Sequence, residues 1–181
     1  ANMSLEFPAS FLLVAAMNPC PCGYFGSSQK ECVCSDRQIA LYISKLSGPL
    51  LDRIDIHVTV SAINYEELTA LPMQEKTSKE MYQAVEQAVE CQEARFAACG
   101  KQHGRNAHMT SSEVEALCIL TPAAENVLKL AFDRLKLSMR GYHKILKLAR
   151  TIADLDGAEI IDRAHIQEAI GYRSLDQKID R

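Results

Sequence analysis

Residues 138–155 read SMRGYHKILKLARTIADL and predict an amphipathic helix. Ser138 suits the cap position at its start, and the pattern ends at Asp156-Gly157. Its apolar side chains recur three or four residues apart, as they do on the buried face of a helix: Tyr142, Ile145, Leu146, Leu148, Ala149 and Ile152. Such a face needs a cover, so the neighbouring sequence should supply further helices.

Capping residues predict four more helices on either side of this one. The predicted starts are Thr77 with Glu80, Thr110 with Glu113, Thr121 with Pro122, and Asp162. The first three of these helices should end near Cys99, Leu120 and Lys136. The sequence therefore predicts an all-α domain over about residues 65–181.

The first third of the chain has a different pattern. Residues 11–16, FLLVAA, form a continuous apolar run typical of a strand buried on both faces, with Asn18 at its carboxyl end. A helix capped by Ser35 or Asp36 is predicted to run to Leu46, and Gly48-Pro49 should stop or kink it. Residues 54–60 alternate apolar and polar, as in an edge strand. Residues 1–64 thus read as α/β, but two strands and one helix are too few for a whole sheet domain, which indicates a fragment.

The composition is that of a soluble globular protein of 181 residues with a formal net charge of −3. This charge excludes a wholly basic nucleic-acid binder but leaves room for a local basic face. The longest apolar run, residues 11–17, is far short of the roughly 20 residues that a membrane helix needs. No basic and then apolar leader opens the sequence, so we expect a cytoplasmic protein without membrane partners.

Four of the seven cysteines are clustered. Two C-x-C pairs, Cys20 with Cys22 and Cys32 with Cys34, place four thiols within fifteen positions. Four thiolates are a structural Zn²⁺ set, which leaves no open coordination position for catalysis. The C-x-C spacing is less common than C-x-x-C, and the alternative is two surface cysteine pairs that lie close by chance.

Two arginines lie at positions where their side chains could bind an anion. Arg53 lies between the Gly48-Pro49 break and the second predicted strand, and Arg140 lies in the first turn of the predicted helix 138–155. A cation at a helix amino terminus opposes the helix dipole unless an anion lies in front of it. A salt bridge from Arg53 to Asp52 or Asp55 is the simpler alternative. Seven basic residues between 129 and 150 read equally well as a solvated face or as a phosphate- or DNA-facing surface.

The sequence contains no G-x-x-x-x-G-K-[ST] phosphate loop, and no apolar strand ends in Asp-Glu. Nothing in it should hold a magnesium nucleotide unaided. We therefore expect no ATP turnover from this chain alone.

Three segments closely resemble the magnesium-chelatase-like AAA+ ATPases of bacteria, and within them the competence-associated ComM and YifB type. The segments are FLLVAAMNPCPCG at 11–23, SGPLLDRIDI at 47–56, and residues 138–155. They span most of the chain in the order expected for the carboxyl-terminal portion of the family. The resemblance implies the end of an AAA+ core over residues 1–64, followed by a helical lid over residues 65–181.

The resemblance also implies roles for single residues. Asn18 would be sensor 1, which orients the attacking water, Arg53 the arginine finger for a neighbouring subunit, and Arg140 the sensor-2 arginine of the lid. Full-length members are implied to be hexamers that use ATP and Mg²⁺ to move branched DNA in recombination. Two alternatives stay open: a chelatase-type motor subunit acting on a tetrapyrrole enzyme, and a zinc-stabilised binding module with no nucleotide role. The cysteine cluster, together with the segment at 11–23, favours the ComM-like group over a chelatase subunit.

Overall fold

A computed structural model describes residues 11–61 and 76–173, together with positions 5, 7, 63, 65 and 69. The described residues are mostly helical. Packing divides the chain into two compact units, Ala1–Lys45 and Leu46–Arg181. None of the described helices has the length and apolar composition needed to cross a bilayer.

The smaller unit differs from its prediction at the first strand. Residues 11–18 adopt neither helix nor strand, and their apolar side chains are exposed, Leu12 by 89% and Val14 by 83%. A strand requires a neighbour to pair with, and no described residue pairs with this segment. The predicted helix does form, as α1, Asp36–Ile43, and its start is fixed by a capping box between Ser35 and Gln38.

The larger unit contains the remaining described helices. They are α2 Gly48–Leu51, α3 Ser78–Ala98, a 3₁₀ turn Asn106–His108, α4 Ser111–Leu117, α5 Pro122–Leu135, α6 Met139–Leu155 and α7 Arg163–Gly171. The predicted capping boxes at Thr77 and Thr110 are confirmed, and so are the caps at Thr121 and Ser138. Helix starts could be predicted because a cap bonds to its own first turn.

Helix α6 lies at the centre of the larger unit. It packs against α7, α3, α4 and the 3₁₀ turn, and α5 packs against α7. Fully buried aliphatic side chains from several elements form the core: Val114, Ala124, Ile145, Ala149, Ala153, Ile161, Ile166 and Ala169. An isolated parallel bridge joins Leu120 to Ile161 and is the one strand-like pairing among the described residues.

A buried ion pair network ties α3 to α6. Asp154 accepts hydrogen bonds from Arg95, from Arg150 Nε at 3.1 Å and from Asn106 Nδ2 at 2.8 Å. Arg150 is completely buried and also donates to the backbone carbonyls of Ala158 and Glu159. The seven basic residues between 129 and 150 therefore do not form one surface, because the last of them belongs to the core.

The second predicted strand is also absent from the structure. Residues 56–61 have no regular structure, and Val58 and Val60 are exposed. Alternation alone does not make a strand where no partner edge is available among the described residues. Gly48-Pro49, predicted to stop or kink a helix, opens the short helix α2. The α/β character predicted for residues 1–64 is thus not shown by this structure.

Candidate metal centre and cationic groove

Two consecutive turns fold the cysteine loop back on itself. The Gly23 N–H donates to the Cys20 carbonyl at 3.0 Å, and the Ser27 N–H donates to the Tyr24 carbonyl at 3.0 Å. Gly23 has a φ of +84°, a left-handed conformation that favours glycine. These turns reverse the chain after the first C-x-C pair and return it to the second.

The four sulfurs converge on one point. Cys20 Sγ lies 3.4 Å from Cys22 Sγ and 3.7 Å from Cys32 Sγ, and the Cys22 and Cys32 sulfurs are 3.6 Å apart. With Cys34, all four ligand atoms lie within 4.8 Å of one another. A tetrahedron with metal–sulfur bonds of about 2.3 Å has edges of about 3.8 Å, so this set can hold a metal ion. Convergence of the two pairs speaks against unrelated surface cysteines.

The loop backbone stabilises negative sulfur. Hydrogen bonds from the backbone N–H of Tyr24 and then of Val33 lower the pKa of Cys22 to about 6, against the effect of burial. At Cys32 the N–H of Cys34 acts in the same direction, but burial and the neighbouring sulfurs outweigh it and raise the pKa to about 12. Crowded sulfurs oppose each other's ionisation, and a bound cation removes that repulsion.

Asn18, the predicted sensor residue, belongs to the smaller unit and is exposed. Its amide side chain lies beside Gly23, where an added Cβ would be 3.8 Å from its Nδ2. The chain thus places Asn18 directly before the cysteine loop. Arg53 and Arg140 belong to the larger unit.

The structure brings Arg53 and Arg140 together. Both line an open groove of about 630 Å³ in the larger unit. The other lining residues are Ser111, Met139, His143, Lys144 and Lys147. Lys144 and Lys147 follow Arg140 at helical spacing on α6, and this spacing within the longer basic run is the sequence signal for the groove. The groove is a cationic surface with no acidic lining residue.

The two carboxylates next to Arg53 are paired elsewhere. Asp52 pairs with Arg173 at 3.3 Å, and Asp55 pairs with Lys144 at 2.7 Å. Arg53 itself donates from its Nη1 to the Pro49 carbonyl at 2.5 Å and is exposed. In the described chain, the simpler alternative of an Arg53 salt bridge to either aspartate is therefore not found. Arg173 is a contributor to this region that the sequence did not single out.

The start of α6 faces the groove. Ser138 caps it by accepting a hydrogen bond from the Gly141 N–H at 3.1 Å, and Arg140 is exposed in the first turn. Lys147 is held by a hydrogen bond to the Ala107 carbonyl at 3.1 Å. A helix amino terminus and two exposed guanidinium groups all favour an anion, and a guanidinium binds phosphate through two parallel hydrogen bonds.

Comparison with protein families assigns the chain. The family model described as magnesium chelatase, subunit ChlI C-terminal, matches residues 75–173, which is more than half of the chain. The chain belongs to this family. The model described as magnesium chelatase, subunit ChlI, matches residues 1–68. The two magnesium chelatase matches together include the cysteine cluster, Asn18, Arg53 and Arg140.

Several curated proteins are similar to this magnesium chelatase family member over nearly its whole length. Competence protein ComM of Haemophilus influenzae is 39% identical over 97% of the chain, and the uncharacterized protein YifB of Escherichia coli is 36% identical over 96%. An uncharacterized protein of Mycobacterium tuberculosis is 31% identical over 92%. The chain spans about a third of the length of each of these relatives.

Proposed function

We propose that this chain supplies phosphate-sensing residues to a longer AAA+ ATPase, with Arg53 as arginine finger, Arg140 as sensor 2 and Asn18 as sensor 1. The observation that carries the proposal is the shared groove. Arg53 and Arg140 line it together, although they come from different elements. Exposed arginines that converge without an acidic partner in the groove suit the charge that develops during phosphoryl transfer.

The shared groove also indicates whether Arg140 contacts the nucleotide of its own subunit or that of a neighbouring subunit. An arginine finger reaches the nucleotide of a neighbouring subunit, and the same groove would present Arg140 to that nucleotide. We therefore assign both arginines to one phosphate at a subunit interface. The proposed assembly is a hexamer in which the nucleotide and Mg²⁺ are held chiefly by a phosphate loop that this sequence lacks.

The proposed α/β core requires more chain than is present here. Residues 11–16 would become a buried strand on pairing with the remainder of the longer protein, which would cover side chains such as Leu12 and Val14, now exposed. Asn18 would then stand at the end of that strand. We propose a core boundary at about residue 64, with the lid formed by residues 65–181.

We propose Zn²⁺ as the ion of the cysteine cluster. Four soft thiolates within 4.8 Å of one another suit zinc better than a hard cation. With every position filled by protein sulfur, the ion would cross-link the loop between residues 20 and 34. It would supply stability there rather than catalysis.

At the level of the whole protein, we propose a cytoplasmic motor that acts on branched DNA. The resemblance to the ComM and YifB type supports this proposal, and the similarity to a competence protein agrees with it. A chelatase-type motor subunit is the second candidate, favoured by the magnesium chelatase family models. A nucleotide-free zinc module would leave the cationic groove without a role.

The test is ATP hydrolysis by the full-length protein carrying Arg53→Ala. We expect a turnover loss of roughly 10³–10⁵ with nucleotide binding nearly intact, because a finger acts on transition-state charge. Arg53→Lys should not restore turnover, since an ammonium lacks the planar fork of donors. Arg134→Ala, at an exposed arginine on α5, is the matched control and should hydrolyse ATP normally.

Normal hydrolysis by assembled Arg53→Ala hexamers would rule out the finger. Mixing Arg53→Ala subunits with subunits that lack the magnesium-binding acid should restore part of the activity, because some interfaces then contain both intact partners. ATP hydrolysis should also be measured with branched DNA and, separately, with a tetrapyrrole-binding enzyme. Stimulation by the DNA favours the DNA motor, and stimulation by the enzyme favours the chelatase-type subunit.

A further inference from the structure

The turn that contains Arg53 makes three polar contacts with α6 and with the residues just after α7, all within the larger unit. Asp52 pairs with Arg173, just beyond the end of α7, and Asp55 pairs with Lys144 on α6. The His57 backbone N–H donates to the Tyr172 carbonyl at 2.7 Å. The anchors thus lie immediately before Arg53 and shortly after it.

The Asp52 anchor is the more buried of the two ion pairs. The Arg173 side chain is 2% exposed and that of Asp52 is 39% exposed, whereas the Asp55 carboxylate is 70% exposed. Because Arg173 is buried, loss of the Asp52 carboxylate would weaken the compensation of a buried charge, so this pair should constrain the turn more than an exposed pair does. The pair at Asp55 is open to solvent and should contribute less.

We propose that Asp52, through Arg173, is a positioning residue that fixes Arg53 in the groove opposite Arg140. This inference rests on the proposed function. A peptide segment held at 52 and again at 55 leaves the backbone of residue 53 little freedom. Lys144 lies one helical turn after Arg140 on α6. The Asp55–Lys144 pair therefore links the Arg53 turn to the helix that contains Arg140. Asp52 touches no nucleotide and acts only through the placement of Arg53.

The test is Asp52→Asn in the full-length protein, a change that keeps the side-chain shape and removes the charge. We expect kcat for ATP to fall by about tenfold to a hundredfold, the range that a misplacement of about 1 Å produces. KM for ATP should change by less than about twofold, because the nucleotide is held elsewhere. In the present chain, hydrogen exchange of the His57 amide should accelerate, while exchange of the core amides of α6 stays unchanged.

Asp156→Asn is the matched control. Asp156 Oδ2 lies 3.2 Å from Nε2 of the largely buried His165 in the same unit, so the variant makes the same chemical change beside a buried side chain, at a carboxylate that is 64% exposed. Neither residue lines the groove. This variant should keep the kcat and the His57 exchange rate of the unmodified protein.

Arg173→Lys is the second variant, in case Asp52→Asn does not fold. It keeps the buried charge paired but loses the planar fork, and it should lower kcat in a protein that still folds. If Arg53→Ala is inactive while Asp52→Asn and Arg173→Lys keep normal kcat, the positioning role is overturned and the finger stands. An equal loss of kcat in Asp156→Asn also overturns it, since the effect is then general destabilisation. Full activity of Arg53→Ala overturns the proposed function itself.

Discussion

At the scale of single residues, pairing decides which charges are available to a ligand. Asp52 and Asp55 flank Arg53, yet each is engaged by a cation from elsewhere in the larger unit. Arg150 belongs to the same basic run as Arg140 but is buried and paired with Asp154. Neither aspartate beside Arg53 is thus paired with it, and Arg53 and Arg140 are both exposed and line the groove.

Glu113 provides a residue-scale prediction about pH. A hydrogen bond from Lys101, followed by hydrogen bonds from the Thr110 backbone and hydroxyl, lowers the pKa of Glu113 from 4.5 to about 2. Because the pKa of Glu113 in the folded chain lies below its usual value, the ionised carboxylate stabilises the fold. This contribution is fully present above about pH 4.5 and is lost as the pH falls towards 2. Glu113→Gln should therefore reduce the loss of thermal stability across this window, relative to the unmodified chain.

The measurement is thermal unfolding at a series of pH values between 2 and 6. Glu80 and Asp162 also have lowered pKa values, so the difference between variant and unmodified chain isolates the Glu113 contribution. Glu115→Gln, at an exposed position on the same helix, is the control and should follow the unmodified chain. Parallel curves for Glu113→Gln and the unmodified chain would contradict the assignment.

At the scale of elements, helix starts could be predicted and strands could not. Thr77 with Glu80 and Thr110 with Glu113 close capping boxes within four residues, so a short stretch of sequence contains the whole interaction. The apolar run at residues 11–16 favours a strand, but a strand also needs a neighbouring strand to pair with, and the local sequence does not contain one. The Asp52–Arg173 pair joins residues 121 positions apart, which no local pattern reveals.

Gly104 provides an element-scale prediction about packing. Helix α3 presents Phe96, which is 2% exposed, directly to the Gly104 backbone. A Cβ at position 104 would overlap the Cβ and ring of Phe96, and these atoms cannot swing away as the tip of a flexible side chain could. Gly104→Ala should destabilise the larger unit by about 1–3 kcal/mol, the usual cost of overpacking.

Chemical denaturation of the chain measures this change in the free energy of unfolding. Gly171→Ala is the matched control, because an added Cβ at the end of α7 meets nothing within 4 Å. It should leave stability unchanged or raise it slightly, since alanine favours helix. Equal stabilities of the two variants would mean that the chain between α3 and the 3₁₀ turn can shift to admit a methyl group.

At the scale of the whole molecule, the two units are stabilised by different means. The larger unit has a core of buried aliphatic side chains and a satisfied ionic network. In the smaller unit, the described buried side chains are few, chiefly Cys20 and Ile39. The clustered C-x-C pairs predicted from sequence a group of sulfurs that could hold a metal ion, because all four cysteines lie within one loop. The groove joins distant residues, and the sequence predicted its two arginines only one at a time.

The smaller unit should therefore depend on a metal ion for its local order, and the larger unit should not. Protein purified without chelator should contain Zn²⁺ in stoichiometric amount by elemental analysis, and Cys22→Ser or Cys34→Ser should lose it. Removing the ion should accelerate amide exchange across the loop between residues 19 and 35, because thiolate–zinc bonds supply folding free energy to a loop with little core of its own. The unfolding temperature of the larger unit should change little, since its core contains no zinc ligand. Cys91→Ser, at an exposed cysteine of α3, is the control and should retain the metal. Zinc-free protein with a fully protected loop, or a larger unit that unfolds on metal removal, would contradict the structural role of the cluster.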